Sequence, residues 1–225
     1  MSKAKKTASK TDTPGKKKNP WRENIEAIII AIVIALFIRT FIVQAFKIPS
    51  GSMKDTLLIG DQILVNKFIY GVKIPFTNGK NLVSIKDPER GDIVVFKYPQ
   101  DPSKDFIKRV VGVAGDKIKI VDKQLYLNGK PVEDEPFAVF KNPETLPGNF
   151  SHRDNLKEMT VPENSLFVMG DNRDRSHDSR FWGFVDLKML KGEAFMIYWS
   201  WDRTKTSFKR FKSGIRWGRI GNLLL

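Results

Sequence analysis

The chain has 225 residues, room for one domain of ordinary size with a tail and one apolar segment in front of it. It holds no cysteine, which excludes disulfides, thiolate nucleophiles and thiolate-bound zinc, and its two histidines, His152 and His177, offer little for a histidine triad or metal site. Catalysis would have to use Ser, Lys, Asp, Glu or Tyr, and the formal net charge of +14 points to nucleic acid, anionic lipid or plain solubility.

Residues 1 to 24 carry eight basic side chains against Asp12 and Glu23, leaving +6 there and +8 in the rest. Rich in Lys, Ser, Thr and Pro, residues 1–22 are expected to be a disordered tail. Residues 27–38 are then twelve apolar side chains without a break. Twelve are too few for a bilayer core of about 30 Å. Glu26 and Arg39 lie thirteen positions apart, however, about 20 Å of helix rise, and each can snorkel to its own face. This predicts a single transmembrane span over 23–43, with Trp21 in the interfacial belt. The basic tail places the N-terminus in the cytoplasm and residues 44–225 across the membrane. A cleavable signal peptide has a similar outline, but no clear small-x-small site follows the run. An uncleaved anchor is the reading adopted; a buried soluble helix is the plain alternative.

Next comes Phe46-Lys-Ile-Pro-Ser50-Gly-Ser52-Met-Lys-Asp-Thr-Leu57. Pro49 fixes its own φ and biases Ile48 to extended geometry, while Gly51 permits a kink. Two hydroxyls thus leave a rigid strand end close together. One could attack while the other donates a hydrogen bond beside it; an ordinary polar turn is the bland reading.

The remainder reads as strands at 62–68, 93–97, 106–111, 117–121, 165–169 and 194–199. Four Gly-Asp pairs (60-61, 91-92, 115-116 and 170-171) suggest turns whose carboxylates accept backbone N–H bonds. Asn128-Gly129 signals a two-residue hairpin turn. Loops are expected at 75–88 and 141–155, and one short helical turn at 186–190, capped by Asp186.

Within the most apolar strand, Lys108 is flanked by Phe106, Ile107, Val110 and Val111. Facing inward, it would lose hydration; a drop in pKa from about 10.4 to about 8 needs roughly 3.3 kcal/mol and leaves a neutral amine able to accept a proton. Facing outward, it would be an ordinary edge-strand lysine. Residues 170–184 crowd Asp171, Asp174 and Asp178 with Arg173, Arg175 and Arg180, a loop suited to bracing by internal ion pairs. The arginines, and the lack of a closing Glu, argue against a cation loop.

These motifs, in this order, resemble the boxes of bacterial type I signal peptidase (leader peptidase), a Ser-Lys dyad serine protease family. The resemblance rests on Ile48-Pro-Ser-Gly-Ser-Met53 with Thr56-Leu57, Arg90-Gly-Asp92, Lys108-Arg-Val-Val-Gly112 with Gly115-Asp116, and Gly170-Asp-Asn-Arg-Asp174 with Ser176, Asp178 and Arg180. It runs from about residue 25 to Arg219-Ile-Gly221; Asp55 departs from the family's usual proline. It implies that Ser52 is the nucleophile and Lys108 the general base, with Ser50 Oγ and the Ser52 N–H as oxyanion donors. Ser176 would orient the lysine. Arg109 with Asp171, and Arg180 with Asp178, would brace the loop, while Ile48, Met53, Leu57 and Ile107 would line shallow pockets for small side chains. The implied fold is mostly β: an antiparallel catalytic core with a smaller β insert at about 117–165, preceded by the transmembrane helix. The implied substrates are exported preproteins with small residues at the cut, processed without metal or cofactor at the outer face of the bacterial cytoplasmic (inner) membrane. A monomer embedded in the lipid bilayer, without nucleic acid, is expected. Self-cleaving repressors share the dyad but would lack an anchor. The best non-enzymatic alternative is a membrane-tethered basic β-module binding anionic lipid or polymer, supported by the interleaved basic and aromatic residues from Arg203 to Arg219.

Overall fold

A computed structural model describes residues 20–71, 85–133, 135–202, 204 and 214–224. Most of the basic tail, residues 75–84 of the expected 75–88 loop and most of the basic C-terminal stretch lie outside the described residues.

The chain divides into two units, Met1–Ile38 and Arg39–Leu225. In the first, helix α1 (Pro20–Phe37) opens on a proline, which suits a first helical position because its missing N–H would be unpaired there. Arg22, Glu23 and Glu26 occupy its first two turns; from Ala27 onward every side chain is apolar. These side chains are exposed on every side, Ile28 and Val33 by 58% and 59%. Helical winding continues as a π-turn, Ile38–Ile42, and Val43 already belongs to a strand. The expected 23–43 span is thus regular helix only to Phe37. Among the described residues no helix is long and apolar enough to cross a membrane.

The second unit is mostly β, and every strand pair is antiparallel, as expected. The strands are β1 (Val43–Lys47), β2 (Asp61–Asn66), β3 (Ile93–Tyr98), β4 (Asp101–Gly112), β5 (Lys117–Val121), β6 (Gln124–Leu127), β7 (Lys130–Pro131), β8 (Leu156–Thr160), β9 (Ser165–Met169), β10 (Val185–Asp186) and β11 (Leu190–Ser200). A seven-stranded sheet runs β1-β2-β11-β3-β4-β9-β10, and a four-stranded sheet runs β7-β6-β5-β8. Alternation explains the burial. In β5 Ile118 and Ile120 point inward between exposed Lys117 and Lys119. Strand β3 is central, so Ile93 and Val95 enter one core cluster while Val94 and Phe96 enter another. A third cluster joins the small sheet to the large one through Ile118, Leu125, Phe167 and Met169.

The turn chemistry follows the residues. Asn128 and Gly129 both have positive φ in the β6–β7 turn. In three of the Gly-Asp pairs the glycine has positive φ, and the aspartate accepts the N–H three residues earlier: Leu58 to Asp61, Glu89 to Asp92 and Val113 to Asp116. The expected turn after Asp186 is a 3-10 helix, Leu187–Met189, capped by that aspartate.

Candidate active site

The ladder between β1 and β2 continues one step past Lys47, with the Ile48 N–H donating to Asp61 O and the Gly60 N–H to Ile48 O. Pro49 has no N–H to offer, and there the chain leaves the sheet. Residues 50–60 form a tight excursion closed by Lys54 N–H to Gly51 O and Leu57 N–H to Met53 O. Met53 and Leu57, fully buried, root it in the core with Ile48. Ser52 sits on this excursion, 9% exposed, with Ser50 Oγ 3.5 Å from its own Oγ. The Ser52 N–H makes no hydrogen bond among the described residues.

Lys108 comes from β4, opposite Val94 of β3. Pairing of β4 with β9 begins only at Arg109, so Lys108 lies where the sheet opens on one side. Into that opening comes Ser52: Lys108 Nζ donates to Ser52 Oγ at 2.9 Å and to Ile107 O at 3.0 Å. The Phe106 ring centroid is 5.3 Å from the amine. Burial lowers the Lys108 pKa to about 8, against the opposing pull of Asp178 and Asp171. At that value a neutral amine, whose lone pair accepts the Ser52 O–H, is accessible near neutral pH.

The loop after β9 holds both partners. Arg109 grips Asp171 through two N–H···O bonds of 2.9 Å, and Thr56 Oγ1 donates to the same carboxylate at 2.6 Å. Arg180 grips Asp178 in the same forked way and donates to the carbonyls of Arg173 and Arg153. Burial pushes the Asp178 carboxyl up, but Arg180 and the Gly170 N–H more than offset this and hold it below the usual carboxylate range. Gly170 allows the closest approach in the site: a Cβ there would lie 2.4 Å from Ser52 O and 2.2 Å from Ser176 Oγ.

The residues assigned site roles from the sequence lie around Ser52 and Lys108 or in the loop after β9. Ser176 is buried beside Gly170, its hydroxyl near enough to Asp178 to help hold that carboxyl low, while the Lys108 amine donates to Ser52 Oγ and Ile107 O. Met53 and Leu57 have no exposed surface, and Ile48 almost none; of the four expected pocket residues, only Ile107 is partly open. Sequence reasoning missed Asn172. Its N–H donates to Ser52 O at 3.1 Å and its Nδ2 to Gly51 O at 3.0 Å, clamping the excursion from behind. An asparagine beside an aspartate carries no sequence signal for that role. Among the described residues no cluster suited to a metal ion occurs.

The family model described as "Signal peptidase, peptidase S26" matches residues 21–199, and the chain belongs to that family. It is by this membership a serine endopeptidase, of the class that removes signal peptides, and the non-catalytic alternative falls. Signal peptidase I of Pseudomonas fluorescens is 40% identical over 206 residues, covering 78% of this chain and 72% of the relative. Signal peptidase I of Aquifex aeolicus is 34% identical over 229 residues, covering 80% and 84%. A solved signal peptidase I from Enterococcus faecalis V583 shares 35% identity, covering 49% of this chain and 98% of that one, with a TM-score of 0.39.

Proposed function

We propose that the protein is a membrane-anchored signal peptidase in which Ser52 attacks and Lys108 is the general base. The carrying observation is the 2.9 Å contact between a buried lysine amine and a serine hydroxyl, with the amine pKa lowered to about 8 by burial. In the neutral form the amine takes the Ser52 proton as Oγ adds to the scissile carbonyl, then passes it to the leaving amine. A water deprotonated by the same amine hydrolyses the acyl-enzyme. The unbonded Ser52 N–H and the exposed Ser50 hydroxyl are free to face the developing oxyanion, each such donor being worth about 10² to 10³ in rate. Asp171 with Arg109, and Asp178 with Arg180, keep the loop rigid behind the dyad.

The substrate is an extended preprotein segment. Among the described residues, 101–108 of β4 have no strand partner on the side where β9 begins, leaving main-chain groups to receive it. Ile107 offers the apolar contact for a small side chain, over a floor made by Ile48, Met53 and Leu57. Helix α1, apolar and exposed from Ala27 on, supports anchorage in the cytoplasmic membrane with residues 44–225 outside.

Lys108→Arg is the decisive test, because arginine keeps the charge but cannot deprotonate. Both Lys108→Arg and Ser52→Ala should lower kcat/KM for preprotein cleavage by at least ~10³-fold, and the double variant should lose little more. An active arginine variant would end the dyad reading.

A further inference from the structure

Residues 135–141 follow β7 without forming a strand of either sheet, yet they run across the 170–175 loop. Val139 forms an isolated parallel bridge with Asn172. The Val139 N–H donates to Asp171 O at 2.8 Å, and the Arg173 N–H donates to Val139 O at 3.0 Å. Glu135 pairs with Arg173. The N–H groups of Lys141 and Asn142 both donate to the Asp174 carboxylate. Phe137 lays its ring over the Arg109 guanidinium, 3.7 Å from the ring centroid. The guanidinium edges are already filled by Asp171 and by Gly91 O, so the ring closes a face that water would otherwise reach.

We infer that 135–141 is a positioning strap for the nucleophile, with Phe137 and Val139 its positioning residues. The path is short. The two Val139 bonds flank Asn172, and Asn172 holds the carbonyls of Gly51 and Ser52. Phe137 seals the Arg109–Asp171 pair, whose carboxylate also accepts from Thr56 of the same excursion. The strap touches neither Ser52 nor Lys108 through any hydrogen bond, ion pair or ring contact among the described residues; it acts through the loop between them, and Lys141 also reaches the excursion at the exposed Asp55, 3.4 Å away. This inference rests on the Ser52–Lys108 reading, because only then does fixing Gly51 and Ser52 set a rate.

The test uses the full chain in detergent micelles with a purified preprotein. Phe137→Ala should lower kcat about tenfold or more with KM within about twofold, the split expected when orientation rather than binding is lost. Phe137→Tyr keeps a ring face and should recover to within about twofold, whereas Phe137→Leu keeps bulk without the ring and should stay low. Amide hydrogen exchange at Asn172 should quicken in the alanine and leucine variants and not in tyrosine. A leucine variant with wild-type kcat, or a loss of kcat without faster exchange at Asn172, overturns the strap. If the alanine variant fails to fold, the tyrosine and leucine pair still decide. Failure of the dyad itself would show separately, as activity in Ser52→Ala; in that background exchange at Asn172 still reports the strap.

Discussion

Lys108 carries a thermodynamic cost that its proposed role as general base requires. Its pKa is about 8 in the fold against 10.5 for an ordinary lysine, so between those values the unfolded chain holds a proton that the folded chain lacks. Stability therefore rises with pH across that window, and below pH 8 the fold bears the whole penalty, about 3 kcal/mol. Lys108→Met should remove it and leave an inactive protein more stable at pH 7 by about 1 to 2 kcal/mol, once the lost hydrogen bond of about 1 kcal/mol is set against it. The advantage should vanish near pH 10.5; urea midpoints at the two pH values check this, and an equal gain at both would refute it. Activity runs the same way, with kcat/KM climbing through an apparent pKa near 8 to an alkaline plateau. Gly170 is constrained by space instead. Gly170→Ala places a methyl against Ser52 O, a backbone atom that can yield only if Ser52, the proposed nucleophile, moves. A kcat loss of about 10²-fold or more is expected, with folding preserved; wild-type turnover would show that the loop can retreat.

At the scale of elements, the strands were legible because their alternation and turn residues are local signals. The expected runs became β2, β3, β4, β5, β9 and β11. Strand β1 was legible only at its end, where Ile48 and Pro49 predict extended geometry; its start was not, because 43–46 are mostly apolar like the helix before them, and pairing with β2 decides the conformation. The β5–β6 turn was also hidden: Asp122 and Lys123 take positive φ with no glycine between them. Lys123 is held there by Asp154 O, Asn142 O and Asp174. The dyad could be proposed because hydroxyl, lysine and their spacing are visible in the chain. The strap at 135–141 and the clamp of Asn172 could not, since both act through backbone groups that every residue possesses. Asp55 shows what a departure from pattern means in three dimensions. Its φ is 83°, which a proline ring, fixed near −65°, cannot reach. The excursion after Ser52 is therefore shaped for a residue with a free φ. Asp55→Gly should be neutral or slightly stabilising, because the exposed pair with Lys141 is worth at most about 1 kcal/mol. Asp55→Pro should cost about 3 kcal/mol or more and most of the activity; a thermally unchanged proline variant would contradict this backbone geometry.

For the whole molecule the question is what covers helix α1. Its eighteen residues rise about 27 Å, short of the roughly 30 Å of a bilayer core, and three of them are charged. The apolar side chains are exposed all round, with no polar stripe from Ala27 to Phe37, which supports the proposed contact with lipid. In the proposed topology, the +6 in residues 1 to 24 favours the cytoplasmic side. Trypsin outside spheroplasts should digest residues 44–225 and spare an epitope on the tail. Replacing Lys16, Lys17 and Lys18 with glutamate lowers the tail from +6 to zero and should make a measurable fraction of chains resist external trypsin, with preprotein processing falling in the same proportion. Processing that stays complete while the domain is protected would mean that the enzyme works from the cytoplasmic face, and the proposed topology would have to be reversed.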